Sequence, residues 1–302
     1  MGLVDIANHR SGLFRRSKRP LFTTQDDLFN IRFAIQPVIV LSFLCVEEAV
    51  SQVFEWPGDN RAALSLSFDD GHESQVDIGL PILHRYGIKA TFYVLPFRVE
   101  KRVEDWKGAL ADGHEIGNHT VGHPCTGNFS WARVDGVELE EYDLARMKRE
   151  LLEANDIIGQ MLGIRPTTFA YPCGQTYVGR EVYTKSYVPL VAENFKSGRR
   201  WMDEVDNDPS YCDLNQIMAR RMDGQVFGEL RRIVDESIAN GRWLVLVGHR
   251  VGERGEYTTD AEALRHLFDY VTEPSRKVWL APVGEIAEYV RAQRNASIYE
   301  RR

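Results

Sequence analysis

Five side chains that can bind a metal ion or move a proton occur along this sequence, each just after a short apolar run. Asp69 and Asp70 follow one run, and His119 and His123 follow another. His249 follows a third. Two histidines and one carboxylate form a ligand set that leaves a catalytic zinc ion one open position for water. Only one of two adjacent aspartates can easily point at such an ion, so the other is left to accept a proton.

Each of these signals has an ordinary structural explanation when it is taken alone. Asp69-Asp70-Gly71 favours a turn, surface histidines are common, and His249 could serve only in packing. Their shared position is harder to dismiss. In a parallel α/β barrel the carboxyl ends of the strands meet at one face, where active sites are built. The sequence therefore predicts that the five residues converge, with His249 placed to protonate a leaving amine.

The elements that must position these residues alternate between short apolar runs and longer segments of helical spacing. This alternation is typical of parallel βα units and favours one α/β barrel over two separate domains. The predicted strands are Ala62–Phe68, Lys89–Leu95, His114–Asn118, Thr167–Tyr171, Arg242–Gly248 and Val278–Leu280. The predicted helices are Leu144–Met161, Val99–Ala111, Gln225–Ala239, Ala261–Val271 and Val283–Ala292.

Composition narrows the classes of partner. The 302 residues are 43% hydrophobic, which is enough for a substantial core. A formal net charge of -7 argues against binding to nucleic acid or to an anionic membrane, and favours a neutral or cationic partner. Four cysteines without a C-x-x-C pair indicate neither a zinc ribbon nor a dense disulfide scaffold. Cys125 and Cys173, beside the motifs, are expected to be small buried thiols, with a disulfide or a place in the site as the alternatives.

The N-terminal region has some features of an export signal. Basic residues at Arg15–Arg19 precede the mostly apolar run Phe33–Val46, and Ala49-Val50-Ser51 is a candidate cleavage site. The run is shorter than the roughly 20 apolar residues that a membrane span needs. We expect a secreted or periplasmic protein slightly more than a cytoplasmic one, with no stable membrane span. The predicted divisions are a leader or extension at 1–58, a catalytic domain at 59–294 and a C-terminal tail at 295–302.

Three ordered motifs give the chain a resemblance to the polysaccharide deacetylases, the NodB-homology carbohydrate esterases, over about Ala62–Val290. Ser67-Phe68-Asp69-Asp70-Gly71 resembles the first motif of that family. His119-Thr120-Val121-Gly122-His123 resembles its H-[ST]-x-x-H motif, and Leu246-Val247-Gly248-His249 its late L-x-x-H motif. The resemblance implies a distorted (β/α)7 barrel in a single domain.

The same resemblance implies roles for the five residues. Asp69 would be the general base and His249 the general acid, while Asp70, His119 and His123 would hold a divalent metal ion. Zinc is the first expectation for that ion, with cobalt, nickel or iron as alternatives. The implied reaction is removal of N-acetyl groups from an acetylated glycan, such as a chitin-like oligomer, peptidoglycan or another surface glycan.

The third motif departs from the family pattern R-x-P-[YF]-G. Here Ala170 stands where the arginine that orients the base would be, and Cys173 stands where the aromatic residue would be. Arg220 or Arg221 is a candidate to replace that arginine. Tyr171, Pro172 and Cys173 are candidates for contacts with the substrate, and the backbone N–H of Cys173 for stabilising an oxyanion.

The fourth motif has no clear counterpart, although Arg199–Glu204 contains similar residue types in another order. His72, beside the aspartates, is expected to be an ordinary loop residue. Two alternative functions stay open: hydrolysis of a cyclic imide or other small amide, and carbohydrate binding without catalysis. No nucleic-acid partner is expected, and the sequence leaves the oligomeric state open.

Overall fold

A parallel sheet, with helices in the connections between its strands, organises residues 54–300, the part of the chain that the computed structural model describes. The strands are β1 Ala62–Asp70, β2 Thr91–Val94, β3 Glu115–Asn118, β4 Thr168–Ala170, β5 Tyr177–Val178, β6 Lys185–Ser186, β7 Ser197–Arg199, β8 Arg220–Arg221, β9 Trp243–Gly248, β10 Arg250–Gly252, β11 Thr258–Asp260 and β12 Val278–Leu280. The helices are α1 Leu80–Tyr86, α2 Pro96–Val99, α3 Val103–Ala111, α4 Ser130–Val134, α5 Leu144–Leu162, α6 Val188–Asn194, α7 Phe227–Ala239, α8 Ala261–Val271 and α9 Val283–Glu300.

Seven parallel strands run across the sheet in the order β7-β4-β3-β2-β1-β9-β8, and β12 pairs with the first part of β1. Beyond β7, residues 214–217 continue the hydrogen bonding: Gly198 N–H donates to Leu214 O over 2.9 Å, and Ile217 N–H donates to Gly198 O over 2.8 Å. Three residues further on, β8 pairs with β9. The sheet is thus curled towards closure, and the predicted distorted (β/α)7 barrel is confirmed.

Strand β1 lies at the centre of this sheet because both of its faces are apolar. Its first eight residues are all buried, as expected for a parallel strand that is covered on both sides. Leu64, Leu66 and Phe68 pack into the largest hydrophobic cluster, whereas Ala63 faces a second cluster that includes Trp243. The two aspartates therefore lie at the carboxyl end of a central strand that is buried on both faces.

Helix α5 shows how local sequence sets the boundaries of an element. The side chain of Asp143 accepts a hydrogen bond from the Arg146 N–H over 2.7 Å and caps the first turn. Gly163 ends the helix with a φ of 72°, a left-handed conformation that glycine adopts without strain. The predicted helix Leu144–Met161 is confirmed to within one residue.

All six predicted strands are present, but two short strands of the barrel, β7 and β8, were not predicted. They span three and two residues, too few to show a hydrophobic period. The predicted leader, apart from its last residues, lies outside the described residues. Of the described helices, none is both long and apolar enough to cross a membrane.

A glycine in β3 tests how tightly the barrel interior is packed. A Cβ atom built on Gly117 would lie 2.4 Å from the ring of Tyr93 on the neighbouring strand and 2.9 Å from Thr168 Oγ1. We expect Gly117→Ala to lower the free energy of unfolding by about 1–3 kcal/mol, the usual range for overpacking a core. Urea unfolding followed by circular dichroism measures this change.

The matched control is Gly108→Ala on α3, where an added Cβ meets no atom within 4 Å. There the gain in helix propensity should stabilise the protein by about 0.5–1 kcal/mol. Equal unfolding midpoints for Gly117→Ala and the wild type would show that the interior at β3 is looser than the structure indicates.

Candidate metal centre and active site

Asp70, His119 and His123 converge at the carboxyl ends of β1 and β3. Asp70 Oδ1 lies 3.6 Å from His119 Nε2 and 3.5 Å from His123 Nε2. One potential ligand atom from each residue lies within 4.8 Å of the other two. The structure thus brings the three predicted metal ligands together.

Hydrogen bonds fix the orientation of His119. Its Nδ1 lies 2.9 Å from the Ala170 carbonyl oxygen, which can only accept, so Nδ1 carries the proton. The lone pair of the neutral ring is then on Nε2, the atom that faces Asp70. Such a backbone contact behind a histidine is typical of metal-binding imidazoles.

Burial keeps both imidazoles in the form that binds metal. It lowers the pKa of His119, and it lowers the pKa of His123 to about 4, with the neighbouring His119 contributing to the second shift. Both rings are therefore neutral near pH 7 and keep a lone pair for an ion.

Asp70, in contrast to the neutral imidazoles, is held in its charged form. Burial alone would raise its pKa, but the hydrogen bond from His72, followed by electrostatic interactions with His123, His119 and His249, holds that pKa well below its usual range. The guanidinium of Arg98 can only donate, and it lies 2.8 Å from His72 Nδ1, so His72 Nε2 bears the proton that Asp70 Oδ2 accepts over 3.0 Å. His72 was expected to be an ordinary loop residue, but it is buried and orients Asp70.

The other oxygen of Asp70 supports a metal assignment. Among the described residues, Asp70 Oδ1 has no hydrogen-bond partner although it is buried, which is costly for a carboxylate oxygen. It faces the two imidazole nitrogens that also have free lone pairs. A divalent cation bound by this oxygen and by His119 and His123 would satisfy all three atoms, so the residues present fit the ion.

Asp69, the other member of the pair, is buried and contacts a buried arginine. The guanidinium of Arg199, at the end of β7, donates a hydrogen bond to Asp69 Oδ1. The same guanidinium lies 4.9 Å from the ring centroid of Tyr93, which gives its charge a further favourable contact. One oxygen of the carboxylate is thus fixed by Arg199.

The prediction that Arg220 or Arg221 holds Asp69 is wrong. Arg220 is paired with Asp206 at 3.5 Å, and the guanidinium of Arg221 donates to the carbonyl oxygen of Glu256. Arg199 has this role instead, from a strand that was not predicted. Arg199 is the register partner of Ala170 in the sheet. The arginine is therefore on β7, next to β4, the strand where the family pattern has it.

His249 is held at the end of β9 by a second buried carboxylate. Its Nδ1 lies 2.7 Å from Oδ2 of Asp223, and its backbone N–H donates to Oδ1 of the same residue over 3.1 Å. Burial lowers the pKa of His249, but the hydrogen bond to Asp223 and the charges of Asp69 and Asp70 outweigh it, so the pKa is raised. His249 is therefore suited to carrying a proton near neutral pH.

A buried glutamine connects the two strand ends that carry these groups. Gln75 Nε2 donates to the backbone carbonyl of Asp69 over 2.6 Å and to that of His249 over 2.8 Å. Gln75 and Asp223 were missed in the sequence, and Arg199 was noted only within the segment compared with the fourth motif, not as the partner of Asp69. Arg199 ends β7 and Asp223 follows shortly after β8. Recognising these two short strands in the sequence would have pointed to both residues.

The third-motif residues are placed differently from one another. Tyr171 is completely buried and its hydroxyl donates to Asn215 O over 2.7 Å, so its side chain belongs to the core and is not available for a substrate contact. Pro172 is also buried. Cys173 is partly exposed, and its φ of 53° is uncommon for a residue other than glycine.

The expectation that Cys125 and Cys173 are free thiols is wrong, because they form a disulfide. It joins the loop after His123 to the loop after β4. Cys125 Sγ lies 3.6 Å from Nδ1 of His123, so the disulfide contacts a predicted metal ligand directly.

Aromatic rings lie next to His123 and next to His249. Trp131 lies 5.8 Å from the ring of His123, between centroids, and is 40% exposed. Trp201 and Tyr257 contact the ring of His249 at 4.3 and 5.7 Å. The exposed rings of Trp131 and Tyr257 therefore offer apolar surface to a ligand next to His123 and next to His249.

Comparison with known proteins agrees with this arrangement. Residues 58–187 match the family model described as polysaccharide deacetylase. A gellan lyase from Bacillus sp is 23% identical over 82% of this chain and 10% of its own length. A peptidoglycan-N-acetylglucosamine deacetylase from Bacillus cereus is 37% identical over 27% of this chain and 39% of its own length. The chain thus spans well under half the length of these curated relatives.

A similar fold is present in a solved structure from Mycobacterium smegmatis that is provisionally assigned as a polysaccharide deacetylase. It superposes with a TM-score of 0.59 at 19% identity, over 80% of this chain and 93% of the other. At that identity the similarity supports the fold alone.

The role of His72 can be tested by metal affinity. We expect His72→Ala to weaken zinc binding by about 10–100-fold, the usual effect of losing a group that orients a ligand. Isothermal titration calorimetry of the purified full chain measures the change. His84→Ala is the matched control, because His84 is exposed and its ion pair with Asp112 at 3.9 Å lies on the surface. Equal affinities for His72→Ala and the control would remove His72 from the metal centre.

Proposed function

We propose that this chain, whose residues 58–187 match the polysaccharide deacetylase family, removes N-acetyl groups from an acetylated amino-sugar polymer or oligomer. The reaction is hydrolysis of a linear amide and yields acetate and a sugar amine. The observation that carries the proposal is the convergence of Asp70, His119 and His123 around an unpaired carboxylate oxygen, with Asp69 and His249 beside them.

A divalent ion, zinc as the first candidate, would be held by Asp70, His119 and His123. It would polarise the acetamide carbonyl and favour attack by water at neutral pH, as metal ions do in other hydrolases. Neutral imidazoles and an ionised carboxylate provide this ligand set without further proton loss.

Asp69 and His249 divide the proton transfers. Asp69 accepts a proton from the attacking water, and its hydrogen bond with Arg199 keeps its carboxylate in one orientation. His249, charged through its contact with Asp223, gives a proton to the departing sugar nitrogen. The backbone N–H of Cys173 is a candidate for stabilising the oxyanion, since that role needs no particular side chain.

The substrate is proposed from the site and from the relatives together. The exposed rings of Trp131 and Tyr257, next to His123 and next to His249, are suitable surfaces for the apolar faces of sugar rings. The Bacillus cereus relative is a peptidoglycan-N-acetylglucosamine deacetylase, so N-acetylglucosamine in peptidoglycan fragments is the first substrate to test. Chitin oligomers, which contain the same sugar, are the second.

The division of roles between the two aspartates is tested by Asp69→Asn. Loss of a general base should lower acetate release by about 10²–10⁴-fold. Bound metal should stay at the wild-type level, because Asp69 is not in the ligand set. Acetate release from N-acetylglucosamine oligomers and metal content by atomic emission measure the two effects.

His119→Ala is the companion variant and should lose both metal and activity. Wild-type turnover in Asp69→Asn would rule out the proposed base. Loss of metal in that variant would instead make Asp69 a ligand.

The acid role predicts a pH effect. His249 must be protonated to act, so activity falls as pH rises through its pKa. Asp223 helps to raise that pKa, so Asp223→Asn should lower it and move the alkaline limb of kcat/KM to lower pH. The measurement is the pH profile of acetate release. Asp77→Asn, an exposed partner of Arg102, should leave the profile unchanged. An unchanged alkaline limb in Asp223→Asn would assign that limb to another group.

A further inference from the structure

The disulfide beside the metal centre brings two soft metal ligands next to one of the proposed catalytic ligands. A ring nitrogen of His123 and the sulfurs of Cys125 and Cys173 all lie within 4.8 Å of one another, and Nδ1 is the nitrogen in contact with Cys125 Sγ. In the disulfide the sulfurs are bonded to each other and are poor ligands. As separate thiolates, together with an imidazole, they would make a set that zinc prefers.

We propose that reduction of the Cys125–Cys173 disulfide by a dithiol opens a second metal site, formed by the two thiolates and Nδ1 of His123. The site would take zinc, cobalt or another borderline or soft metal ion. It competes with the site of Asp70, His119 and His123 Nε2. The protein would thus have two metal-binding modes, selected by the state of one disulfide.

The distances around His123 support this site. Its Nδ1 lies 3.6 Å from Cys125 Sγ. Bonds of about 2.1 Å to nitrogen and 2.3 Å to sulfur at a tetrahedral zinc ion place the two ligand atoms about 3.6 Å apart. The Cα atoms of the two cysteines are 5.9 Å apart, so rotation of the side chains is enough to place both sulfurs around one ion.

Competition follows from the chemistry of a neutral imidazole, which has one lone pair. When Nε2 of His123 is directed at Asp70 and the catalytic ion, Nδ1 carries the proton, and the nearby sulfur is at most a weak acceptor for it. When Nδ1 binds an ion, the proton is on Nε2. His123 therefore serves one set of ligands at a time, and thiolates are the stronger ligands for a soft ion.

The reducing step is balanced and has an accessible point of attack. Cys125 is completely buried, whereas Cys173 is partly exposed, so a thiolate of the dithiol attacks the Cys173 sulfur and releases that of Cys125. The second thiol of the reagent resolves the mixed disulfide, and the reagent leaves as its own disulfide. Two electrons and two protons have then passed to the cysteines, and a bound metal ion displaces the thiol protons.

Cobalt(II) provides a readout that does not depend on activity, because a thiolate bound to cobalt gives a charge-transfer band in the near ultraviolet. The full chain is prepared as Cys45→Ser, Cys212→Ser, so that the pair is the only source of cysteine sulfur. It is reduced with a phosphine, which adds no thiol of its own, and thiol titration counts the two cysteines. We expect no thiolate band before reduction and a band after it.

Adding His119→Ala to this protein separates the two sites. His119 belongs to the proposed catalytic set and not to the thiolate set, so the oxidised variant should bind cobalt poorly and the reduced variant should bind it with the thiolate band. Cys125→Ser, or alkylation of both reduced thiols in the otherwise unchanged chain, should abolish the band. If the serine variant does not fold, the alkylated sample provides the same control, a protein without free thiolates.

Two results would overturn the proposal: two titratable thiols with no thiolate band, or a disulfide that a phosphine does not reduce in the folded protein. Neither result bears on deacetylation, which is measured as acetate release by the oxidised protein. Conversely, if the oxidised protein releases no acetate, the thiolate band still tests the proposed second metal site.

Discussion

The site depends on a sharp turn of the backbone at the end of β1. Adjacent residues of a strand point to opposite faces, so Asp69 and Asp70 would normally be directed apart with no common site. Asp70 has a φ of 74°, a conformation that is uncommon outside glycine, and Gly71 follows it with a φ of 76°. The turn leaves Asp69 against Arg199 and aims Asp70 at the histidines. Strain of this kind is kept where the surrounding structure fixes it, as the hydrogen bonds of His72 and Gln75 do here.

In the buried pair of Arg199 and Asp69, the arginine comes from a different strand than in the family pattern. An uncompensated charge at either position would destabilise the fold by about 3–5 kcal/mol, so the two residues are required together. Ala170 is the register partner of Arg199 on β4, and its small side chain leaves room for the guanidinium. The charge next to the carboxylate is thereby preserved although the arginine comes from β7.

Site residues that follow recognisable strands were predicted from the sequence. Site residues whose roles depend on contacts distant in the chain were missed. Asp69, Asp70, His119, His123 and His249 were predicted to converge because they follow short apolar runs that the sequence identifies as strands, and the structure brings the three metal-ligand candidates together. The roles of Arg199 and Asp223 were missed because their strands have only three and two residues. The disulfide was left as an alternative because a separation of 48 residues carries no geometry by itself.

The loop that carries both histidines has little regular structure of its own, so its shape must come from outside it. Helix α5 supplies part of the support: the carboxylate of Glu150 accepts the backbone N–H groups of Val121 and Gly122, at 3.1 and 2.9 Å. From β3, Asn118 fixes the start of the loop by accepting the Thr120 N–H over 2.7 Å.

The disulfide closes the far end of the same loop. Cys125 is bound to Cys173, so the disulfide joins the loop that carries His119 and His123 to the loop that follows β4, just beyond His123. Hydrogen bonds from α5 and β3 remain when the disulfide is broken, whereas this tie does not. The backbone of Cys125 also exchanges hydrogen bonds with Val137 and Leu139, and these bonds do not depend on the disulfide. Reduction should therefore free the two sulfur atoms while the backbone of the loop stays in place and His119, held by the Ala170 carbonyl, keeps its orientation. His123 can then change partners by a change at its ring alone, without loss of the fold.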